Sequence, residues 1–149
     1  MNFYETDIIG CKLIVTKPFS DERGDFSKIF CSKIFERENL NSKFVQSNMS
    51  TNKKKGTLRG LHYQINPNQE VKLISCFKGA IFDVVVDLRT ESKTYLKWFG
   101  AHLNIENANM LYVPEGCANG YLALEDNSIA HYMSSGDYAP ESEKGVRYD

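Results

Sequence analysis

Arg59, Gly60 and His62 stand within four positions of one another, in the stretch Gly56-Thr57-Leu58-Arg59-Gly60-Leu61-His62-Tyr63. A guanidinium offers a planar fork of donors that matches a phosphate. An imidazole has the ordinary pKa nearest neutrality among side chains, so it can take a proton at working pH. The pair therefore points to a site that anchors an anionic substrate and removes a proton from it. Lys72 adds to this pattern. It shares a strand face with Ile74 and Cys76, and an ammonium among apolar neighbours needs an anionic partner. Such a lysine suits a ligand-binding lumen better than a solvated face. Asp83 and Asp87 share a face with Ile81 and Val85; for these carboxylates a solvated sheet face is the expectation, since charged residues are rarely fully buried.

The elements that must position these residues read as strands. Lys12 to Val15, Lys72 to Phe77, Ala80 to Leu88 and Met110 to Val113 are short and rich in β-branched or aromatic residues, with Gly, Pro, Asn or Asp between them. Lys78-Gly79, between two such runs, has the look of a tight hairpin turn. Ser32 to Asn39 suits a short helix with Ser32 as its cap. No repeat, low-complexity tract or linker divides the chain, and many short strands with little helix imply a barrel or a two-sheet sandwich. Parity poses one difficulty. Strict alternation puts Arg59 and His62 on opposite faces, so a shared pocket requires a bulge, and Gly60 is where it can form. Without it His62 alone faces inward, and a lone strand histidine is more often packed or exposed than a base.

At 149 residues, length suits one domain with a real core. The net charge of -1 gives no field to attract nucleic acid or an anionic membrane. No apolar run approaches the ~20 residues needed to span a bilayer, and Glu5, Asp7 and Lys12 do not fit a signal peptide. The cysteines at 11, 31, 76 and 117 contain no CxxC pair, which argues against a zinc site or a disulfide framework and for reduced, packed thiols in the cytoplasm. The three histidines (His62, His102, His131) include no HxH pair, so a two-histidine-plus-carboxylate iron site is hard to assemble. His102 and His131 are expected to be structural or exposed.

Further motifs join the central one in order along the chain. They are Asp21-Glu22-Arg23-Gly24-Asp25-Phe26, Gln46-Ser47-Asn48, Val71-Lys72-Leu73, Asp83-Val84, Val86-Asp87-Leu88-Arg89, Ser92-Lys93-Thr94-Tyr95, Trp98 and Pro114-Glu115-Gly116. Tyr138-Ala139-Pro140-Glu141, Glu143 and Gly145 to Asp149 complete the set. Together they resemble the dTDP-4-dehydrorhamnose 3,5-epimerase family. The resemblance implies an all-β, cupin-type jelly-roll barrel with one or two short helices, spanning residues 1–149 as one domain. It implies an isomerase, without metal or other cofactor, that inverts C3 and/or C5 of a nucleotide-diphosphate-linked 4-keto-6-deoxyhexose in deoxysugar synthesis for a surface polysaccharide. By motif, His62 would be the base and Tyr132 the opposing acid, with Lys72 near the C4 oxygen where an ammonium stabilises enolate charge. Arg59 and Arg23 would hold the diphosphate, Gln46 and Asn48 would support it, and Phe26 and Tyr138 would pack against nucleoside or sugar. A cytoplasmic homodimer is implied, in which an N-terminal strand carries Arg23 and Phe26 to the neighbour's pocket. The rival readings are a 3,4-ketoisomerase of a nucleotide 4-keto sugar and a non-catalytic nucleotide-sugar-binding barrel. Leu58 to Tyr63 favours the epimerases over the ketoisomerases.

Three departures accompany the resemblance. Asn119 stands where the family's P-x-G-x-A-H-G motif has a histidine; it can still donate a hydrogen bond but carries no charge near pH 7. The sequence stops at Asp149, whereas family members continue into an S-x-K-D stretch whose Asp supports the catalytic histidine. Either the sequence is a shortened one, or Asp83 takes that part, or the base is weaker. Lys28 occupies a position where thymidine-specific members often carry an acid, which weakens the inference to dTDP over another nucleotide.

Overall fold

The computed structural model describes residues 1–149. In chain order its elements are β1 (Asn2–Glu5), β2 (Lys12–Val15), β3 (Phe19–Asp21), β4 (Gly24–Phe26), α1 (Ser32–Arg37), β5 (Gln46–Asn52) and β6 (Leu58–Gln64). They continue with β7 (Lys72–Lys78), β8 (Ala80–Asp87), β9 (Trp98–Asn104), β10 (Asn109–Val113), β11 (Cys117–Ala123), β12 (Ser128–Ser134) and β13 (Glu143–Gly145). One antiparallel sheet runs β1-β2-β10-β7-β12-β5 and a second runs β13-β6-β11-β8-β9, while β3 and β4 pair only with each other. This is the all-β, cupin-type architecture expected.

Period-two burial decides which side chains meet between the sheets. Ile74 and Cys76 of β7 and Ala130 of β12 face Ile81 and Val85 of β8, Leu103 of β9 and Tyr121 of β11 in one buried cluster. The opposite parity builds a second core on the outside of the six-stranded sheet. There Leu73, Ile14, Met110 and Tyr112 receive Phe35 from α1, which meets Phe30 at 5.1 Å and Phe3 at 5.6 Å in edge-on contacts. Phe35 has no exposed surface, and burying such a side chain stabilises by about 1.5–3 kcal/mol. The main chain of Asn41 donates to the Tyr112 hydroxyl at 3.0 Å, fastening the segment after α1 to this core.

Several expectations are corrected. Ser32 is the first helical residue and not the cap; Cys31 holds the cap position and makes no side-chain capping bond. Lys78-Gly79 is no hairpin, for β7 and β8 lie in different sheets. Gly79, at φ +65°, turns the chain from one sheet into the other. Asp83 and Asp87 are wholly buried rather than solvated. Asp87 is a hub: its carboxylate accepts from the Arg89 main chain (3.0 Å), Arg89 Nε and Nη2 (both 2.8 Å), and the hydroxyls of Ser92 and Thr94 (both 2.6 Å). Burial pushes its pKa up, but these donors prevail and hold it well below the usual carboxylate range. All four thiols are free, three of them buried; burial pushes Cys11 and Cys117 up to about 12, as packed, unreactive thiols should be. No helix is long and apolar enough to cross a membrane.

Candidate active site

The bulge that parity demands is present. On the ladder between β6 and β11, His62 sits opposite Asn119 and Arg59 opposite Tyr121, so Gly60 and Leu61 together face Gly120 alone. Asn119 and Tyr121 share a face, and the extra residue brings Arg59 and His62 onto it as well. Only glycine fits the bulge. Gly60 has φ +107°, and a Cβ there would lie 2.6 Å from Gly120 Cα and 2.7 Å from the Asn119 carbonyl oxygen.

Both side chains thereby line a cleft of about 840 Å³ between the sheets. β5 contributes Gln46 and Asn48, β7 contributes Lys72, β11 Asn119 and β12 Tyr132, and Tyr138 closes the rim. Gln46 Nε2 donates to the Gly136 carbonyl at 3.1 Å, and its oxygen accepts from Asn48 at 3.3 Å. Arg59 Nε donates to Asn52 Oδ1 at 2.9 Å. That single bond steers the guanidinium and leaves its terminal nitrogens without a partner in the chain.

Lys72 and His62 each lie beside a carboxylate. Lys72 Nζ lies 3.3 Å from Glu70 Oε1, both side chains being largely buried, and the other Glu70 oxygen accepts from Ser134 Oγ. Lys72 thus has the anionic partner its setting required. His62 Nδ1 lies 3.3 Å from Glu143 Oε1, and Glu143 Oε2 accepts from the Tyr138 hydroxyl at 2.5 Å. Burial raises the Tyr132 phenol, with the carboxylates of Glu70 and Glu143 adding and Arg59 opposing; it remains protonated at neutral pH and can donate.

Asp83 does not support His62. The sheet order is β6-β11-β8, so β11 stands between them. Asp83 Oδ1 accepts from Asn119 Nδ2 at 3.0 Å, while Oδ2 is buried with no partner. Burial pushes its pKa up to about 7, against the Asn119 hydrogen bond and the Lys72 charge. The carboxylate at His62 is Glu143 instead. Arg23 and Phe26 do not join this cleft within one chain either. They lie on the β3–β4 hairpin, which has no ladder to either sheet, and Phe26 is 69% exposed. His131 stays outside as expected, held by Ser47 (2.9 Å) and Ser75 (3.1 Å) and stacked on Phe77 at 4.3 Å. His102 packs near Phe82 at 5.0 Å. No cluster of His, Cys, Asp and Glu side chains is arranged to hold a metal ion.

Sequence reasoning passed over Glu70 and Asn52, and named Glu143 among the motifs without giving it a role. Asn52 follows Asn48 by four on β5, so parity puts both on one face, and Glu70 stands two residues before Lys72, just ahead of β7. Glu143 carries no such local signal; it meets His62 through the pairing of β13 with β6.

Residues 5–149 match the family model described as dTDP-4-dehydrorhamnose 3,5-epimerase. A curated relative of that description from Sinorhizobium fredii is 40% identical over 149 residues, covering 100% of this chain and 76% of the relative. The crystal structure of dTDP-4-dehydrorhamnose 3,5-epimerase from Bacillus anthracis, with TDP and PPi bound, is similar with a TM-score of 0.96. It is 37% identical, over 99% of this chain and 85% of that one. The crystal structure of dTDP-6-deoxy-D-glucose-3,5-epimerase from Legionella pneumophila in complex with dTDP-4-keto-L-rhamnose gives a TM-score of 0.93 at 38% identity, over 99% of this chain and 78% of that one.

Proposed function

This chain belongs to the dTDP-4-dehydrorhamnose 3,5-epimerase family, and we propose that it inverts carbons flanking the C4 carbonyl of a dTDP-linked 4-keto-6-deoxyhexose by acid–base chemistry. The observation that carries this is the bulge at Gly60, which turns Arg59 and His62 into one cleft with Lys72 and Tyr132. Similarity to structures bound to TDP and to dTDP-4-keto-L-rhamnose supports the substrate class.

In this reading the free nitrogens of Arg59 anchor the diphosphate, and Gln46, Asn48, Asn119 and Tyr138 contact sugar or nucleoside. His62 takes the proton from a carbon beside the carbonyl. The C–H electron pair becomes the C=C bond, and the carbonyl π pair moves onto oxygen. The Lys72 ammonium offsets that developing charge. Glu143, 3.3 Å from Nδ1, orients the imidazole. Tyr132 then delivers a proton to the opposite ring face and the carbonyl re-forms. The imidazolium loses its proton and the phenolate regains one, so nothing is oxidised or reduced and only configuration changes.

Proton NMR of dTDP-4-keto-6-deoxyglucose in D₂O tests this. The C3 and C5 signals should disappear with the wild type and persist with His62→Ala of unchanged circular dichroism; full exchange in that variant removes His62 from the mechanism. Tyr132→Phe should retain part of the exchange while losing inverted product. The reading extends to a homodimer in which the exposed β3–β4 hairpin, with Arg23 and Phe26, reaches the partner's cleft. It is supported by Phe19 at 66% and Phe26 at 69% exposure with no role in their own chain's cleft; sedimentation as a monomer at micromolar protein would overturn it. It also takes the cytoplasm as the place of work, supported by four unpaired thiols and tested by cell fractionation.

A further inference from the structure

Asn119 was expected to offer a donor to the cleft, but its geometry offers the reverse. Its Nδ2 donates to Asp83 Oδ1 at 3.0 Å and to the Val84 carbonyl at 3.1 Å. A carbonyl can only accept, so the amide nitrogen must face Val84, and both of its hydrogens are then committed. The amide oxygen accepts nothing from the chain, yet it is not among the buried, unpartnered polar atoms, of which Asp83 Oδ2 is the single example. It is therefore open, and the residue carrying it lines the cleft. The strand pairing fixes where. Asn119 sits directly opposite His62, and the side chains of such a pair start about 4.5–5.5 Å apart.

We propose that Asn119 Oδ1 accepts a hydrogen bond from a hydroxyl of the bound sugar, namely the C3 hydroxyl, and so selects hexoses that carry a donor there. The inference rests on the epimerase reading of the cleft. Of the two carbons flanking a C4 carbonyl, C5 bears the ring oxygen and a methyl group, and only C3 bears a hydroxyl. An acceptor beside the base meets that hydroxyl when His62 addresses C3. Asp83 and the Val84 carbonyl act through Asn119: by holding both amide hydrogens they fix which end of the amide the sugar meets. A sugar without a donor leaves that oxygen desolvated and unpaired, which is where the discrimination arises.

The test uses binding, so that it does not depend on turnover. dTDP-6-deoxyglucose, whose C4 alcohol cannot be enolised, is titrated calorimetrically into the wild type beside its 3-deoxy and 3-fluoro analogues. Fluorine keeps the polarity of C3 but cannot donate. Both analogues should bind about 10-fold more weakly than the parent, and Asn119→Leu should bind all three within about twofold of one another. Equal affinities in the wild type, a 3-fluoro analogue as tight as the parent, or a full 10-fold preference surviving in Asn119→Leu would each overturn the proposal. Should Asn119→Leu not fold, the wild-type series decides alone. Equal binding together with intact solvent exchange at C3 and C5 defeats this inference and spares the epimerase reading. No binding of the parent defeats both.

Discussion

Asp83→Asn should flatten the pH dependence of stability between about pH 4 and 7. Asp83 has no exposed surface, one oxygen bonded to Asn119 and the other unpartnered. Burial moves its pKa from the ordinary 3.8 to about 7. The folded chain therefore holds this proton where the unfolded chain releases it. The stabilisation is complete below pH 4 and is lost as pH rises toward 7, and above 7 both states are ionised and the loss stops growing. At about 1.4 kcal/mol per pH unit across that interval, the wild type forfeits about 4 kcal/mol on this group. Asn keeps an oxygen to accept from Asn119 and puts a neutral nitrogen where Oδ2 lay, so at pH 4 the two proteins should be nearly matched. At pH 7.5 the variant should be the more stable by several kcal/mol. Urea denaturation at matched protein concentration, at four or five pH values, measures this as a growing difference in midpoint with no change in slope. Asp87, held well below the usual carboxylate range, stays ionised in both proteins and cancels. A difference in stability that does not vary with pH would refute the reasoning, and so would a wild type that gains on the variant as pH rises.

Gly60→Ala should lower stability by about 3 kcal/mol and abolish solvent exchange, because the new Cβ would strike Gly120 and the Asn119 carbonyl at a positive φ. Thermal melting and the NMR assay read the two effects. Glu70→Gln removes the partner of Lys72 and one of the charges that hold the Tyr132 proton. Turnover should fall about 10-fold, and the basic limb of the kcat profile should move to lower pH, since the phenol ionises sooner; an unmoved limb would argue against the coupling. Phe35→Ala should cost about 3–5 kcal/mol in denaturant titrations while leaving exchange intact in the folded protein, because the aromatic cluster lies on the far side of the sheet from the cleft.

Much of the cleft was legible in the sequence because strand parity is a local property. Lys72 inward beside Ile74, Leu73 outward and a bulge at Gly60 all follow from counting by twos. What counting could not supply was pairing. Lys78-Gly79 carries the chemistry of a tight turn, yet nothing local says whether the strands it joins share a sheet. Asp83 and Asp87 looked solvated because their donors, Asn119 in one case and Arg89, Ser92 and Thr94 in the other, become visible only once the chain has closed on itself. The amide of Asn119 read as a donor for the same reason. The Glu143 contact with His62 depends on β13 docking beside β6, a long-range event with no periodic trace.

Strand β7 is a partition with chemistry on one side and oil on the other. Lys72 looks into the cleft and Leu73, its immediate neighbour, into the aromatic core. Sliding this strand by a single residue would drive an ammonium among phenylalanines and deliver a leucine to the cleft in its place. Folding errors of register are thus punished twice, once in stability and once in activity. The strand can therefore accept insertions or deletions only in pairs, and single-residue length changes are confined to the turns at its ends.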